Sequence, residues 1–199
     1  MERTLTYDRL WFAQETKLKE QELIASALNG DNDAFKEIVK KYESRVAATV
    51  IGMLGYCPEA EDIGQETFVR LYQSLHRFRG ESSLGTYITR IAINLSLNEI
   101  RRRGRHRQIY LTNSEEKIEK IADSHNDSEQ NEMSELIQRG LQKLPAKFRS
   151  VIVLRLIDGY STEETAKILN LPNGTVLSRL ARGQMKLKKV LTPLYKGEI

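Results

Sequence analysis

From Pro172 to Leu191 every charged residue is basic: Arg179, Arg182, Lys186, Lys188 and Lys189. A solvated helix face ordinarily mixes both signs, so a wholly cationic stretch of this length suits a polyanion, and duplex DNA is one that a helix can enter. Upstream, Ser161 and Glu164 stand at the S-x-x-E spacing of a capping box, in which hydroxyl and carboxylate satisfy backbone N–H groups at a helix start. A helix is predicted to begin at Thr162 and to end near Asn170, because Pro172 cannot continue it but suits the first turn of a new one. The second helix is predicted over about Asn173 to Lys189. In it Val176, Leu180, Gly183 and Leu187 form one stripe that must face the protein. Ser178, Ala181, Arg182, Met185 and Lys189 lie opposite, where the recognition helix of a helix-turn-helix presents side chains to the major groove. Arg182 is the best-placed reader of base edges. Arg179 flanks the buried stripe and either touches DNA or packs against Glu163 or Glu164. The bland alternative for the whole segment is a helical hairpin with a solvated basic face.

The elements that must hold this unit are helical throughout. Leu23, Ile24 and Leu28 mark a short amphipathic segment, ended by Asn29 and Gly30, after which Asp31 or Asn32 caps a helix carrying Phe35, Ile38, Val39, Tyr42 and Val46 toward Leu54 and Gly55. Beyond Pro58, Ile63, Thr67, Leu71 and Leu75 repeat at helical spacing, with Asp62, Gln65, Glu66 and Arg70 on the outer faces. A break over Arg79 to Ser83 precedes a helix predicted over about Leu84 to Arg103, with Leu84, Ile88, Ile91 and Leu95 inward and Arg90, Asn94, Asn98 and Arg101 in a polar stripe. Leu136, Leu141 and Leu144 precede Pro145, and Val151, Ile152, Leu154 and Leu156 form the helix before the capping box. No run reads as paired strands, so the fold class is all-α: two small helical domains joined by a flexible acidic linker. The expected divisions are an N-terminal extension over 1–20, a first domain over 21–107, the linker over 108–134 and a second domain over 135–199.

A chain of 199 residues with 40% hydrophobic residues can build two such cores. The net charge of +4 is a weak argument for nucleic acid, but its distribution is not. Arg101, Arg102, Arg103, Arg105 and Arg107 form one cluster, and five guanidinium groups within seven residues repel one another unless an anion, such as DNA phosphate, offsets them. From Gln108 to Glu135, by contrast, eight acids face only Lys117 and Lys120. Ile109, Leu111, Ile118 and Ile121 are the apolar exceptions there that could dock elsewhere. The single cysteine, Cys57, excludes an internal disulfide and reads as a small buried apolar residue. His76, His106 and His125 are scattered, so no metal site is expected, nor any cofactor. The longest uncharged run, Val46 to Pro58, is too short for a bilayer and the N-terminus lacks a signal peptide, so no membrane insertion and a cytoplasmic location are expected.

Taken together, these motifs resemble those of bacterial RNA polymerase sigma factors of the extracytoplasmic-function type, over about Gln21 to Leu191. Asp62-Ile63-Gly64-Gln65-Glu66 is similar to the family's D-x-x-Q-E motif, which implies that Asp62, Gln65 and Glu66 dock on core RNA polymerase. Phe78-Arg79-Gly80, Ser82-Ser83-Leu84-Gly85-Thr86-Tyr87 and Arg90-Ile91-Ala92-Ile93-Asn94 resemble the segment for the −10 promoter element. The resemblance implies −10 DNA-binding roles for Phe78, Ser82, Ser83, Tyr87, Arg90, Asn94, Asn98 and Arg101, with one base flipped from the stack. Phe78, Ser82 and Ser83 either line that base's pocket or serve as core and helix caps. Leu144-Pro145, Arg149, Gly159-Tyr160-Ser161, Glu164 and Gly174-Thr175-Val176 with Ser178-Arg179-Leu180 look like the module for the −35 element. That assigns −35 DNA-binding roles to Asn173, Thr175, Leu177, Ser178, Arg179, Ala181, Arg182 and Lys186.

The chain departs from the pattern at three positions. Tyr87 stands for the usual Trp and keeps an aromatic platform, and Gly64 replaces an apolar residue at a cost of roughly 0.5–1 kcal/mol of helix stability. Leu177 replaces a basic residue and suggests apolar contact with a thymine methyl group. The implied function is a promoter-specificity subunit, not an enzyme, with core RNA polymerase, promoter DNA and an anti-sigma factor as partners. A stand-alone dimeric helix-turn-helix regulator is the alternative, and a recombinase a distant third, since no catalytic constellation is recognisable.

Overall fold

The computed structural model describes the backbone of residues 18–113 and 129–195, with side chains over 18–105 and 133–193. Trp11, Phe12, Ile118, Ile121 and His125 lie outside the described residues, as do the side chains of His106, Arg107, Ile109 and Leu111. Among the described residues eight helices follow in order: α1 (18–28), α2 (Asn32–Leu54), α3 (Pro58–Ser74), α4 (Leu84–Asn113), α5 (Glu129–Gln142), α6 (Ala146–Ile152), α7 (Thr162–Leu169) and α8 (Asn173–Tyr195). A 3₁₀ turn, Leu75–Arg77, closes α3, and a π turn, Val153–Ile157, continues α6. No strand occurs among the described residues, and none of their helices is long and apolar enough to cross a membrane.

Local chemistry sets the helix ends. Asp31 Oδ1 accepts from the N–H groups of Asp33 (2.9 Å) and Ala34 (3.2 Å) to start α2, and Gly55 at φ 80° stops it. Pro58 opens α3, where its missing N–H has no acceptor to forfeit. Two ends differ from expectation. α4 continues past Arg103 to Asn113, because arginine, glutamine and leucine extend a helix readily. α8 passes Lys189 to Tyr195 with Pro193 inside its last turn, where proline forfeits one backbone bond. The residues expected to be linker are therefore helical up to Asn113 and again from Glu129.

α2, α3 and α4 pack as the first bundle around Ile38, Val46, Val50, Leu71, Ile88 and Ile93. Each such side chain stabilises the fold by about 1.5–3 kcal/mol through burial. α5 to α8 form the second bundle around Leu141, Leu144, Val151, Ile152 and Val176. The two bundles are not separate. Val153, Leu154, Tyr160 and Ile168 join the first core directly, and Gly52 of α2 meets Val153 so closely that a Cβ there would lie 3.0 Å from Cγ2.

The helix expected from Val151, Ile152, Leu154 and Leu156 divides into α6 and the π turn, and that wider turn shifts the side-chain register, so Val151, Ile152 and Leu154 are buried while Leu156 is 53% exposed. Cys57 departs from its expected apolar burial as well: it is half-buried at the N-cap of α3, and its Sγ accepts from Arg103 Nη2 at 3.2 Å.

Candidate nucleic-acid interface

The capping box forms as the spacing requires. Glu164 N–H donates to Ser161 Oγ at 3.2 Å and Ser161 N–H donates to Glu164 Oε2 at 2.8 Å, and that second bond holds the Glu164 carboxyl below its usual range. α7 ends at Asn170, whose left-handed backbone (φ 52°) turns the chain toward α8. Val176 is fully buried against Val151 and Ala166. At Gly183 a Cβ would sit 3.1 Å from Ile152 Cγ1, so α8 lies close on α6.

These contacts leave the opposite side of α8 facing outward. Asn173, Leu177, Ser178, Ala181, Arg182 and Lys186 are exposed, and Thr175 and Arg179 are half-buried. Arg182 has no salt-bridge partner among the described residues. Neither has Arg179, since Glu164 is turned to Ser161. Leu177 is 54% exposed, an apolar side chain held in solvent on an otherwise basic face. The Ser178 hydroxyl donates back to Thr175 O at 3.0 Å, and Lys186 Nζ lies 5.7 Å from the Phe148 ring centre, so both are partly engaged within the protein.

In the first bundle, Asn94, Asn98 and Arg101 project from α4, with Arg101 Nη1 donating to Asn98 Oδ1 at 3.2 Å. Asn94 and Asn98 line a cleft of about 450 Å³ together with Gln73 and Arg77, over a floor of Ile91 and Leu95. Phe78 and Tyr87 are half-buried with ring centres 5.3 Å apart, and the Tyr87 hydroxyl donates to Ser74 Oγ at 3.1 Å. Ser83 Oγ accepts from Thr86 N–H at 3.1 Å and so caps α4, while Ser82 is half-buried. Arg90 is half-buried, and its Nε has no partner among the described residues. On α3, Asp62 and Gln65 are exposed, and half-buried Glu66 pairs with Arg70 at 2.7 Å.

The arginine cluster is less bare than its sequence suggests. Glu99 accepts from Arg102 at 2.7 Å and from Arg103 at 2.9 Å, and Arg103 also meets Glu59 at 3.0 Å. The bond from Arg102 leads the influences that hold the Glu99 carboxyl below its usual range. Arg101 and Arg105 remain exposed without such pairing. Glu99 was legible at i−3 and i−4 from these arginines, the helical spacing of ion pairs. Residues with no spacing signal are those joining the bundles: Thr49, Thr89, Asp158 and the hydroxyl of Tyr160.

A family model described as Sigma-70 region 2 matches residues 38–106, and one described as Sigma-70, region 4 matches residues 134–187. The ECF RNA polymerase sigma factor SigW of Bacillus subtilis (strain 168) is 36% identical over 182 residues, covering 86% of this chain and 96% of its own. The ECF RNA polymerase sigma-E factor of Escherichia coli (strain K12) is 32% identical over 190 residues, covering 90% and 98%. The chain belongs to the extracytoplasmic-function sigma factors. It is a promoter-specificity subunit of RNA polymerase. Two solved structures share the sigma-factor fold. The sigma factor RpoE of Bartonella quintana, in complex with the anti-sigma factor NepR, has a TM-score of 0.63 at 24% identity, covering 79% of this chain and 96% of that one. CnrH, in complex with the cytosolic domain of CnrY, has a TM-score of 0.64 at 23% identity, covering 87% and 97%.

Proposed function

We propose that this sigma factor docks on core RNA polymerase through Asp62, Gln65 and Glu66 of α3, lays α8 along the −35 duplex and traps unpaired −10 bases beside Asn94 and Asn98 of α4. It catalyses nothing itself. Strand opening is driven by binding, because capture of unstacked bases offsets a melting cost of a few kcal/mol per base. The observation that carries the reading is the outward face of α8, where Leu177, Ala181 and Arg182 stand free of any acidic neighbour on the helix. Arginine there reads guanine edges and leucine meets a thymine methyl group. The protein works in the cytoplasm, where its template is. An anti-sigma factor holds it inactive, a proposal supported by the complexes in which RpoE and CnrH were solved.

The test is transcription in vitro by purified core enzyme plus this chain, with transcript starts mapped by sequencing. Starts clustered at one distance downstream of a shared −35/−10 pair are expected. Replacement of Asp62, Gln65 and Glu66 by alanine abolishes association with core, and undiminished transcription by that variant rules out the α3 docking surface. Binding to a palindromic site as a dimer without polymerase would overturn the sigma reading.

A further inference from the structure

Where the second bundle meets the first, the Thr49 hydroxyl oxygen lies 2.9 Å from the carbonyl oxygen of Arg45 and 2.9 Å from Asp158 Oδ2. A hydroxyl carries one hydrogen. Given to Asp158 Oδ2, that hydrogen steadies the carboxylate and draws the acid down; given to the carbonyl one turn back, Arg45 O, as threonine in a helix readily does, it is not available to Asp158. In the second arrangement the Asp158 oxygen approaches an oxygen that has only lone pairs to offer, which is favourable when Asp158 brings a hydrogen of its own. Its other oxygen, Oδ1, is buried with no partner among the described residues, a state far less costly for a neutral acid than for a carboxylate.

We propose that closure of the α5–α8 bundle onto the α2–α4 bundle takes up a proton at Asp158, making the contact a latch that acid fastens. The regulatory meaning rests on the sigma-factor reading. Sites named for positions −35 and −10 lie roughly 80 Å apart along straight DNA at 3.4 Å per base pair. In the closed form Thr89 of α4 and Tyr160, next to α7, share a hydrogen bond of 2.7 Å. One closed molecule therefore cannot span both elements, and opening must precede promoter engagement. Burial, not a neighbouring charge, is what favours the neutral acid at Asp158. α2 brings Arg45, which draws the acid down but lies over the Tyr160 ring, 5.8 Å from its centre. The turn's own Arg155 donates to Tyr160 O, Arg149 of α6 is bound to carbonyl oxygens, Glu164 of α7 is tied to Ser161 and Glu163 is exposed. Burial prevails and pushes the Asp158 carboxyl up to about 6 from 3.8.

The raised value fixes the direction. Closure is fully favoured below 3.8, weakens as pH climbs to about 6, and weakens no further above that. Between pH 7 and pH 5 the closed-to-open ratio rises about tenfold. Two measurements on the full chain test this: titration of the Asp158 ¹³Cγ resonance, and the closed fraction by small-angle X-ray scattering at pH 5 and pH 7. A ¹³Cγ midpoint near 6 is expected, with a closed fraction that grows on acidification. Asp158→Asn, whose amide N–H₂ donates to Thr49 as the protonated acid does, should be equally closed at both pH values. A midpoint near 4, an open chain at both pH values, or the same response in wild type and Asp158→Asn overturns the latch. The ¹³Cγ titration needs no variant, so it decides even if Asp158→Asn does not fold. Neither measurement involves polymerase, so failed transcription would count against the sigma reading and leave the latch standing.

Discussion

Replacing Arg149 with methionine should cost about 3–5 kcal/mol of folding stability, although no carboxylate pairs with this arginine. The residue is 7% exposed. Its Nη1 donates to Met53 O and to Gln142 Oε1, both at 2.6 Å, and its Nη2 donates to Gln142 O at 2.6 Å and to Leu144 O at 2.9 Å. Met53 lies in the last turn of α2 and Gln142 ends α5, positions whose carbonyls have no donor within their own helix. One guanidinium thus serves two helix ends and opposes the negative pole of each. Burial, with a smaller push from Arg103, lowers its pKa to about 10, which leaves it charged at neutral pH. Removing the charge relieves a desolvation cost on the order of 3 kcal/mol. Four hydrogen bonds from a charged donor are worth roughly 1.5–3 kcal/mol each, and the lower part of that range already gives the stated loss. Methionine keeps most of the stem volume, so packing is not the variable. Urea unfolding of the full chain measures the effect as a lower midpoint, and lysine should rescue little because one ammonium cannot reach both helix ends. A loss below about 1 kcal/mol would refute the capping argument.

Arg182→Ala should weaken binding to −35 duplex by about 1–3 kcal/mol and relax base preference at one position; equal loss on every sequence would mark a phosphate contact. Asn94→Ala should impair promoter opening more than closed-complex binding, and an unaltered permanganate footprint of the melted bases would remove Asn94 from that role. Ser161→Ala should cost about 1 kcal/mol in thermal unfolding by breaking the capping box, and a change within a few tenths would show that packing alone places α7.

What was legible in the chain was local. The start of α7 at Thr162 follows from hydroxyl and carboxylate three residues apart, and the buried stripe of Val176 and Gly183 follows from helical period. Of the polar stripe of Arg90, Asn94, Asn98 and Arg101, the last three emerged as exposed for the same reason, while Arg90 is half-buried. The joints between bundles were not legible. Thr49 and Asp158 are 109 residues apart, and Thr89 and Tyr160 are 71 apart, so no spacing rule relates them. The exposure of Leu156 was hidden too, because a π turn shifts register without a composition of its own. At the surface proposed for −10 DNA, sequence allowed Ser83 to be either a base contact or a cap, and only geometry puts its oxygen on Thr86 N–H.

The make-up of the joint argues that it is built to part. Val153, Leu154 and Ile168 supply buried apolar contact, joined by the Tyr160 ring. Around them the bundles meet through groups that water can serve equally well: the hydroxyls of Thr49, Thr89 and Tyr160, the carboxyl of Asp158, and the carbonyls of Met53 and Gly85. A contact between bundles that never separate would gain more from aliphatic side chains, which lose most when exposed; contacts that come and go are more polar. Opening here exchanges protein partners for water at a net cost of about 0.5–1.5 kcal/mol per hydrogen bond, more at Arg149 because its donor is charged. Asn94, Asn98 and Arg101 on α4 and Leu177, Ala181 and Arg182 on α8, the residues proposed to meet DNA, already point outward while the bundles are closed. What opening changes is therefore the distance between the faces, and the proposed role of Asp158 and Thr49 is to make its free energy depend on pH.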